Sequence, residues 1–277
     1  MDDVMARKMW RTLEPYHGMI YFAPEATEAY ASVGLAADRM GYFASRAAPM
    51  GAVTGEVVVA TFFNFNPDVV ARAIPAAWER ASPGQILGAR IDAADRALRR
   101  MLGDDVVEGT EVAEAAELAR TAALACRPEG RPLFAGHSSL PWPLPPHLVL
   151  WHAISLLREF RGDGHIAAMT VEGVGGCEAL VIHGASGDVP AAVLQASRAW
   201  PDDDWQAATE RLQARGWLDA DGALTEAGRA HRQWVEDRTD ALALAPWEAL
   251  GSDACDRLRD LVRPWSKAIV AAGAFGG

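Results

Sequence analysis

Apolar residues recur at intervals of three and four through most of the chain, the spacing that lines one face of an α-helix. Over residues 5–31 Trp10, Leu13, His17 and Tyr21 share such a face, with His17 one turn before Tyr21 and Pro24 interrupting the helix. A second helix is expected from Leu35 to Arg46, closed by Pro49 and Gly51. Residues 52–66 hold a β-branched and aromatic run, Val57 to Phe65, that suits either a strand or a buried helix. Asn66 followed by Pro67 and Asp68 is a helix start, predicted to run to about Glu79. Ser82-Pro83 opens another, with Ile86, Ile91, Ala94, Leu98 and Leu102 on one side as far as Gly103. Glu108 to Cys126 is an alanine-rich amphipathic helix.

The pattern lapses between 127 and 146. Pro128, Pro132, Pro141, Pro143, Pro145 and Pro146 favour extended backbone there, and Phe134, His137, Trp142 and His147 make it a packed strap rather than a solvated linker. Helix resumes from 147 to about 160 and is expected to break at a turn, Gly162-Asp163-Gly164-His165. Helices over 166–170, 177–185, 188–200 and 203–215 follow, then a hairpin turned at Asp221-Gly222 and a helix from Thr225 through Trp247. The fold class is therefore mainly α, organised as an N-terminal helical half (1–126), the strap (127–146) and a C-terminal half (147–277). Sliding the chain by 141 residues superposes Trp10 on Trp151, Gly34 on Gly175 and Ala44-Ser45 on Ala185-Ser186. This suggests two pseudo-repeated winged-helix-like halves.

Composition narrows the function classes. The formal net charge of −11 opposes binding to a phosphate backbone. Only Lys8 and Lys267 are lysines, so the arginines reflect codon usage as much as function. Cys126, Cys177 and Cys255 form no CxxC pair, which argues against a disulfide framework or a thiolate zinc site. No apolar run reaches the length of a membrane helix and the start Met1-Asp2-Asp3 is no signal peptide, so the expected location is the cytoplasm. P-loop, Rossmann and GxSxG motifs are absent, and no nucleotide or flavin cofactor is implied. Monomer and homodimer both stay open.

Two resemblances follow from motifs. Residues 188–247, with two short helices, an Asp-Gly hairpin and the Leu224-Thr225-x-x-Gly228 entry to a closing helix, resemble the winged helix of MarR-type regulators. That resemblance implies a second helix entering the major groove and a wing touching the minor groove. The helix here begins with Asp202, Asp203 and Asp204, and the wing tip, Asp219 to Gly222, carries no basic residue, so nucleic acid is an unfavoured partner. Over nearly the full length, Glu14-Pro-x-His17, Tyr21-Phe-Ala-Pro-Glu25, Gly41 to Pro49, Asn64-Phe-Asn66-Pro67 and Arg158-Glu159-x-Arg161-Gly-Asp163-Gly-His165 resemble an actinobacterial group of helix-turn-helix family proteins. This second resemblance supplies no activity.

The densest chemistry lies in Trp151 to His165. Arg158 follows Ile154 and Trp151 on an apolar face, so its guanidinium needs an anion from protein or ligand. Asp163 beside His165 is the arrangement of a carboxylate orienting a general base. The ordinary alternative is an arginine–carboxylate cluster tying a helix to its turn. The expected catalytic set is His165, Asp163, His17 and Tyr21. Arg158, Arg161, Glu25, Tyr42, Arg46, Asn64, Phe65, Trp142 and Trp151 are the expected binding set. His17, Glu25 and His165 form a metal alternative without a recognised close spacing. The function this points to is a small organic ligand held in a pocket between the halves. The reaction would be acid–base work of a lyase, isomerase or hydrolase type. The alternatives are a MarR-like ligand-responsive regulator that binds DNA, and a binding protein without turnover.

Overall fold

Residues 4–36 and 39–275, the part that the computed structural model describes, contain seventeen α-helices. They are α1 (Val4–Gly18), α2 (Pro24–Ser32), α3 (Met40–Ala47), α4 (Gly55–Phe62), α5 (Pro67–Ala73), α6 (Ala76–Arg80), α7 (Pro83–Leu102), α8 (Asp104–Val107) and α9 (Thr110–Leu124). Then come α10 (Pro132–Ser138), α11 (Pro146–Val171), α12 (Gly176–Ala185), α13 (Ala191–Arg198), α14 (Asp202–Ala214), α15 (Glu226–Leu242), α16 (Ala245–Leu250) and α17 (Ser252–Ala271). The acidic start at Met1-Asp2-Asp3, and residues 37–38 of the expected second helix, lie outside the described residues.

Local chemistry explains many of these boundaries. Asn66 Oδ1 accepts from the Asp68 amide at 2.8 Å and starts α5. Ser82 and Gln85 form a reciprocal capping box at the head of α7. The helix expected to run from 66 to 79 is cut at Pro75 into α5 and α6, because proline cannot donate to the preceding turn. Residues 55–62, ambiguous in the sequence, are helical. The closing helix stops at Leu242, and α16 restarts with Pro246 in its first turn.

α11 is the spine. At 26 residues it spans about 39 Å, and from His147 to Leu157 it is buried on every side, as a central helix must be. It passes through the Gly162–Gly164 segment without a break, so the expected turn is not there. The glycines serve packing instead: a Cβ on Gly164 would stand 2.8 Å from Arg131 Nη1 and 3.2 Å from Leu242 Cβ. Arg131 crosses at that point and donates to the carbonyls of Phe160 and Leu242. The close crossing offsets the roughly 1 kcal/mol that each helical glycine costs.

Two hydrophobic cores share this spine. The larger draws on helices from α1 to the first half of α11 and, from the C-terminal end, on α16 and α17. The smaller is built from Ala168 and Met169 of α11, Cys177, Val181 and Ile182 of α12, Ala208 and Leu212 of α14, Leu218, Leu224, and Val235 of α15. The smaller core packs α12 to α15 against the end of α11.

The pseudo-repeat fails on local geometry. Gly34 has φ +88°, whereas its proposed counterpart Gly175 has φ −82°. Ala44-Ser45 sits inside α3, whereas Ala185-Ser186 ends α12. The expected β-hairpin wing is not formed: the described residues contain no strand, only an isolated antiparallel bridge between Leu218 and Leu224. Asp219 Oδ1 accepts from the amides of Asp221 and Ala223 at 3.0 and 2.9 Å, closing the turn too tightly for a ladder. The strap likewise is not wholly extended, since α10 forms inside it with Pro132 at a first-turn position that a helix tolerates.

Candidate functional site

α1, the end of α4, α11 and α15 converge on a cleft where the two cores meet. A cavity of about 300 Å³ opens between Trp10, Tyr42, the Phe62–Phe65 segment and the Arg158–Ile166 stretch of α11. A second of about 600 Å³ adjoins it, sharing Trp10, Asn64, His165, Met169 and Glu236. Such concave sites between packed units are where small ligands usually bind.

His165 lies at the junction of the two cavities. Its Nδ1 is 2.8 Å from Thr239 Oγ1. That hydroxyl gives its own proton to the Val235 carbonyl at 2.7 Å, so it accepts from the ring. The hydrogen bonds thus assign the proton to Nδ1 and leave Nε2 with its lone pair, without a protein partner among the described residues. Burial lowers the imidazole's pKa below the ordinary 6.5, with Glu236 opposing. His165 is accordingly neutral at pH 7 with one basic nitrogen on the cleft.

Asp163 lines the first cavity but does not touch His165, contrary to the expected dyad. On a continuous helix residues two apart face different ways. Asp163 Oδ2 instead accepts the Phe134 amide at 2.9 Å, satisfying the start of α10. Burial raises its carboxyl to about 6.

Behind the cleft runs a buried ion-pair chain. Arg46 Nη2 donates to both oxygens of Glu159 at 3.2 and 3.1 Å. Arg158 donates to Glu159 and to Glu14, both at 3.0 Å. Burial pushes the Glu159 carboxyl up, but Arg46 and Arg158 outweigh this and hold it at about 2. Arg161 donates to Asp240 at 2.8 Å and approaches Glu236 at 3.5 Å. Tyr42 accepts from Arg46 at 2.7 Å and presents its ring to Phe65, with the centroids 5.4 Å apart. Asn64 lines both cavities, and its carboxamide has no protein partner among the described residues.

His17 and Tyr21 are joined to each other rather than to His165. His17 is fully buried, stacked on Trp151 at 5.8 Å, with Nδ1 2.7 Å from Ser155 Oγ and Nε2 2.7 Å from Tyr21 Oη. Ser155 gives its proton to the Trp151 carbonyl, so His17 donates to Ser155 and accepts from Tyr21. The far face of Tyr21 meets the guanidinium groups of Arg46 and Arg158 at 5.6 and 5.4 Å. The pair therefore supports the arginines from behind.

Three other expected residues lie away from the cleft. Glu25 is held by Arg100. Trp142 packs on His152 and Arg120. Trp151 lies between His17 and the Arg90 guanidinium. His17 and Glu25 are held away from His165, so the three form no metal site, and no cluster of three or more His, Cys, Asp or Glu suited to a metal occurs among the described residues.

Several residues that shape the cleft lay outside the expected site: Glu14, Arg198 and Glu236 supply charge and Trp10 supplies wall, beside Glu159 and Phe62. Phe63 is another. It closes a γ-turn with φ +46° and ψ −53°, the Asn64 amide donating to the Phe62 carbonyl at 2.6 Å. A Cβ on Gly176 would fall on the Phe63 carbonyl, so glycine is required there for the lobe to seat. The signal for Glu14 and Glu159 was the demand of buried arginines for carboxylates. Nothing in the local sequence marked Arg198.

The fold and site define a mainly helical protein whose smaller core sits beside a charged, aromatic cleft. The chain belongs to the Helix-turn-helix family, whose profile matches residues 6–276. No curated protein and no solved structure matches it. No single helix among the described residues is long and apolar enough to cross a membrane.

Proposed function

We propose that the protein binds a small organic molecule in the cleft and performs acid–base chemistry on it, with Nε2 of His165 as the base. The observation that carries this reading is the neutral imidazole, fixed through Nδ1 by Thr239, with its free nitrogen on a cavity of ligand size. Arg158, Arg46, Tyr42, Asn64 and Phe65 line or back the same space. Proton abstraction or transfer of a lyase, isomerase or hydrolase type fits this set. The test is to incubate purified protein with a metabolite extract and follow consumption and product formation by mass spectrometry, beside the His165→Gln variant. A compound consumed by the wild type and spared by the variant supports the reading. Consumption at equal rates by both, or no consumption at all, rejects His165 as the base.

A second reading is a regulator that senses its ligand in this cleft; it draws on the helix-turn-helix family match, and its MarR-like character on residues 188–247 alone. The surface of α14 weighs against it. Asp202, Asp203, Gln206 and Glu210 are exposed, whereas Arg211 is held by Glu178 and Arg215 by the carbonyls of Glu172 and Gly173. Arg211 and Arg215 are themselves exposed, but the acids beside them outnumber them and oppose phosphates. Gel retardation on the upstream DNA at low salt distinguishes the two: retardation at micromolar protein supports the regulator.

A further inference from the structure

Of the four arginines that line the 300 Å³ cavity, three have carboxylates. Arg46 and Arg158 share Glu159, with Glu14 as well on Arg158, and Arg161 has Asp240 and Glu236. Arg198 has none within ion-pair distance among the described residues. Its guanidinium lies 4.7 Å from the Phe65 ring centroid, its one hydrogen bond goes to the Ser197 hydroxyl at 3.0 Å, and its buried Nε has no acceptor. The charged groups that act on it are cationic, Arg39 and Arg46, with the Tyr42 hydroxyl beside them in effect. A half-buried cation in such company is held at a cost unless an anion joins it.

The backbone around Arg198 is held in place against strain. Phe63 and Ala199 are the only non-glycine residues with positive φ among the described residues, at +46° and +59°. Hydrogen bonds tie their two segments together across the seam. The Asn66 amide donates to the Arg198 carbonyl at 3.0 Å, and the Trp200 indole donates to the Asn64 carbonyl at 2.9 Å. Strain of this kind persists where surrounding contacts over-determine it, and it concentrates at ligand sites.

From these observations we infer that Arg198 is the anchor for a carboxylate of the ligand, whose flat apolar body lies against Tyr42, Phe62 and Phe65. One unbalanced positive charge calls for a monoanion rather than a doubly charged phosphate. The inference rests on the cleft being the ligand site proposed above and specifies what that site takes.

Benzoate, its neutral isostere benzamide, and inorganic phosphate are suitable probes, titrated by calorimetry at low salt and pH 7.5 into wild type, Arg198→Met and Arg198→Lys. Methionine keeps the apolar stem on Phe65 without the charge, and lysine keeps the charge without the fork. The expected result is one benzoate site per chain, about 10-fold tighter than benzamide, the ratio that a charge-assisted hydrogen bond supports. Arg198→Met should bring benzoate down to the benzamide level, and Arg198→Lys should keep part of the preference. A benzoate preference that survives in Arg198→Met overturns the assignment, as does phosphate binding more tightly than benzoate. Equal binding of benzoate and benzamide to the wild type also removes the carboxylate anchor but leaves the cleft reading standing. Binding of no probe removes both.

Discussion

The imidazole Nδ1 of His165 lies 2.8 Å from the hydroxyl of Thr239, one residue before the Asp240 that anchors Arg161. One turn of α15 thus fixes both the base and a neighbouring cation of the cleft. Thr239→Val keeps the shape and removes the acceptor. Because Thr239 is fully buried, the stranded Nδ1–H should cost about 1–3 kcal/mol. The unfolding midpoint in urea checks the loss, and the ring ¹⁵N shifts should show the proton redistributed between the two nitrogens.

Glu159 is the carboxylate on which Arg46 and Arg158 both depend. Glu159→Gln leaves the buried Arg46 and the part-buried Arg158 short of charge and should destabilise the fold by about 3–5 kcal/mol. With the carboxyl held at about 2 against an ordinary 4.5, its contribution is present above pH 4.5 and is lost as pH falls through 2. The difference between wild type and variant should therefore shrink toward pH 2, as measured by denaturant unfolding across pH 2–7.

Asp163 behaves in the opposite sense. Its carboxyl is raised from 3.8 to about 6, so the folded state binds the proton more tightly and the stabilisation is complete below 3.8 and lost as pH rises through 6. A shift of that size corresponds to about 3 kcal/mol. Asp163→Asn can still accept from the Phe134 amide and has no charge to bury. It should be more stable than the wild type at pH 8 and show no such gain at pH 4. Equal stability at both pH values would contradict the buried-acid description.

Ala199 occupies the left-handed position that closes α13, where glycine is the usual residue. Ala199→Gly should stabilise the protein by up to about 1 kcal/mol, seen as a higher melting temperature. Gly176→Ala should do the reverse, because its Cβ would strike the Phe63 carbonyl and lift α12 from its seat. Limited proteolysis should then cut near Phe63 to Asn66 in the variant before the wild type.

Much of the helical order was legible because caps and breakers are local. Asn66 and Ser82-Pro83 marked the starts of α5 and α7. What misled was also local. Gly162 and Gly164 read as a turn, yet a helix keeps glycines where another chain crosses closely, and the crossing Arg131 is distant in sequence. α17 went unassigned, although Leu258, Leu261, Val262, Trp265 and Ile269 give it a helical stripe. The cleft was half legible. Polar residues set in apolar runs, such as Arg46, Asn64, Arg158 and His165, do line it. Which acid meets which base depended on helix phase, so Asp163 went to α10 and His165 to Thr239. Arg198, on an exposed-looking helix of the other lobe, could be seen only once the lobe was seated.

The central claim is that His165 presents a neutral, unprotonated Nε2 to the cleft. Long-range ¹H–¹⁵N correlation spectra of the histidine rings at pH 7, assigned with His165→Gln, measure this directly. The account predicts a neutral ring protonated at Nδ1 and a pKa below 6.5. An imidazolium at pH 7, or a ring protonated at Nε2, would contradict it.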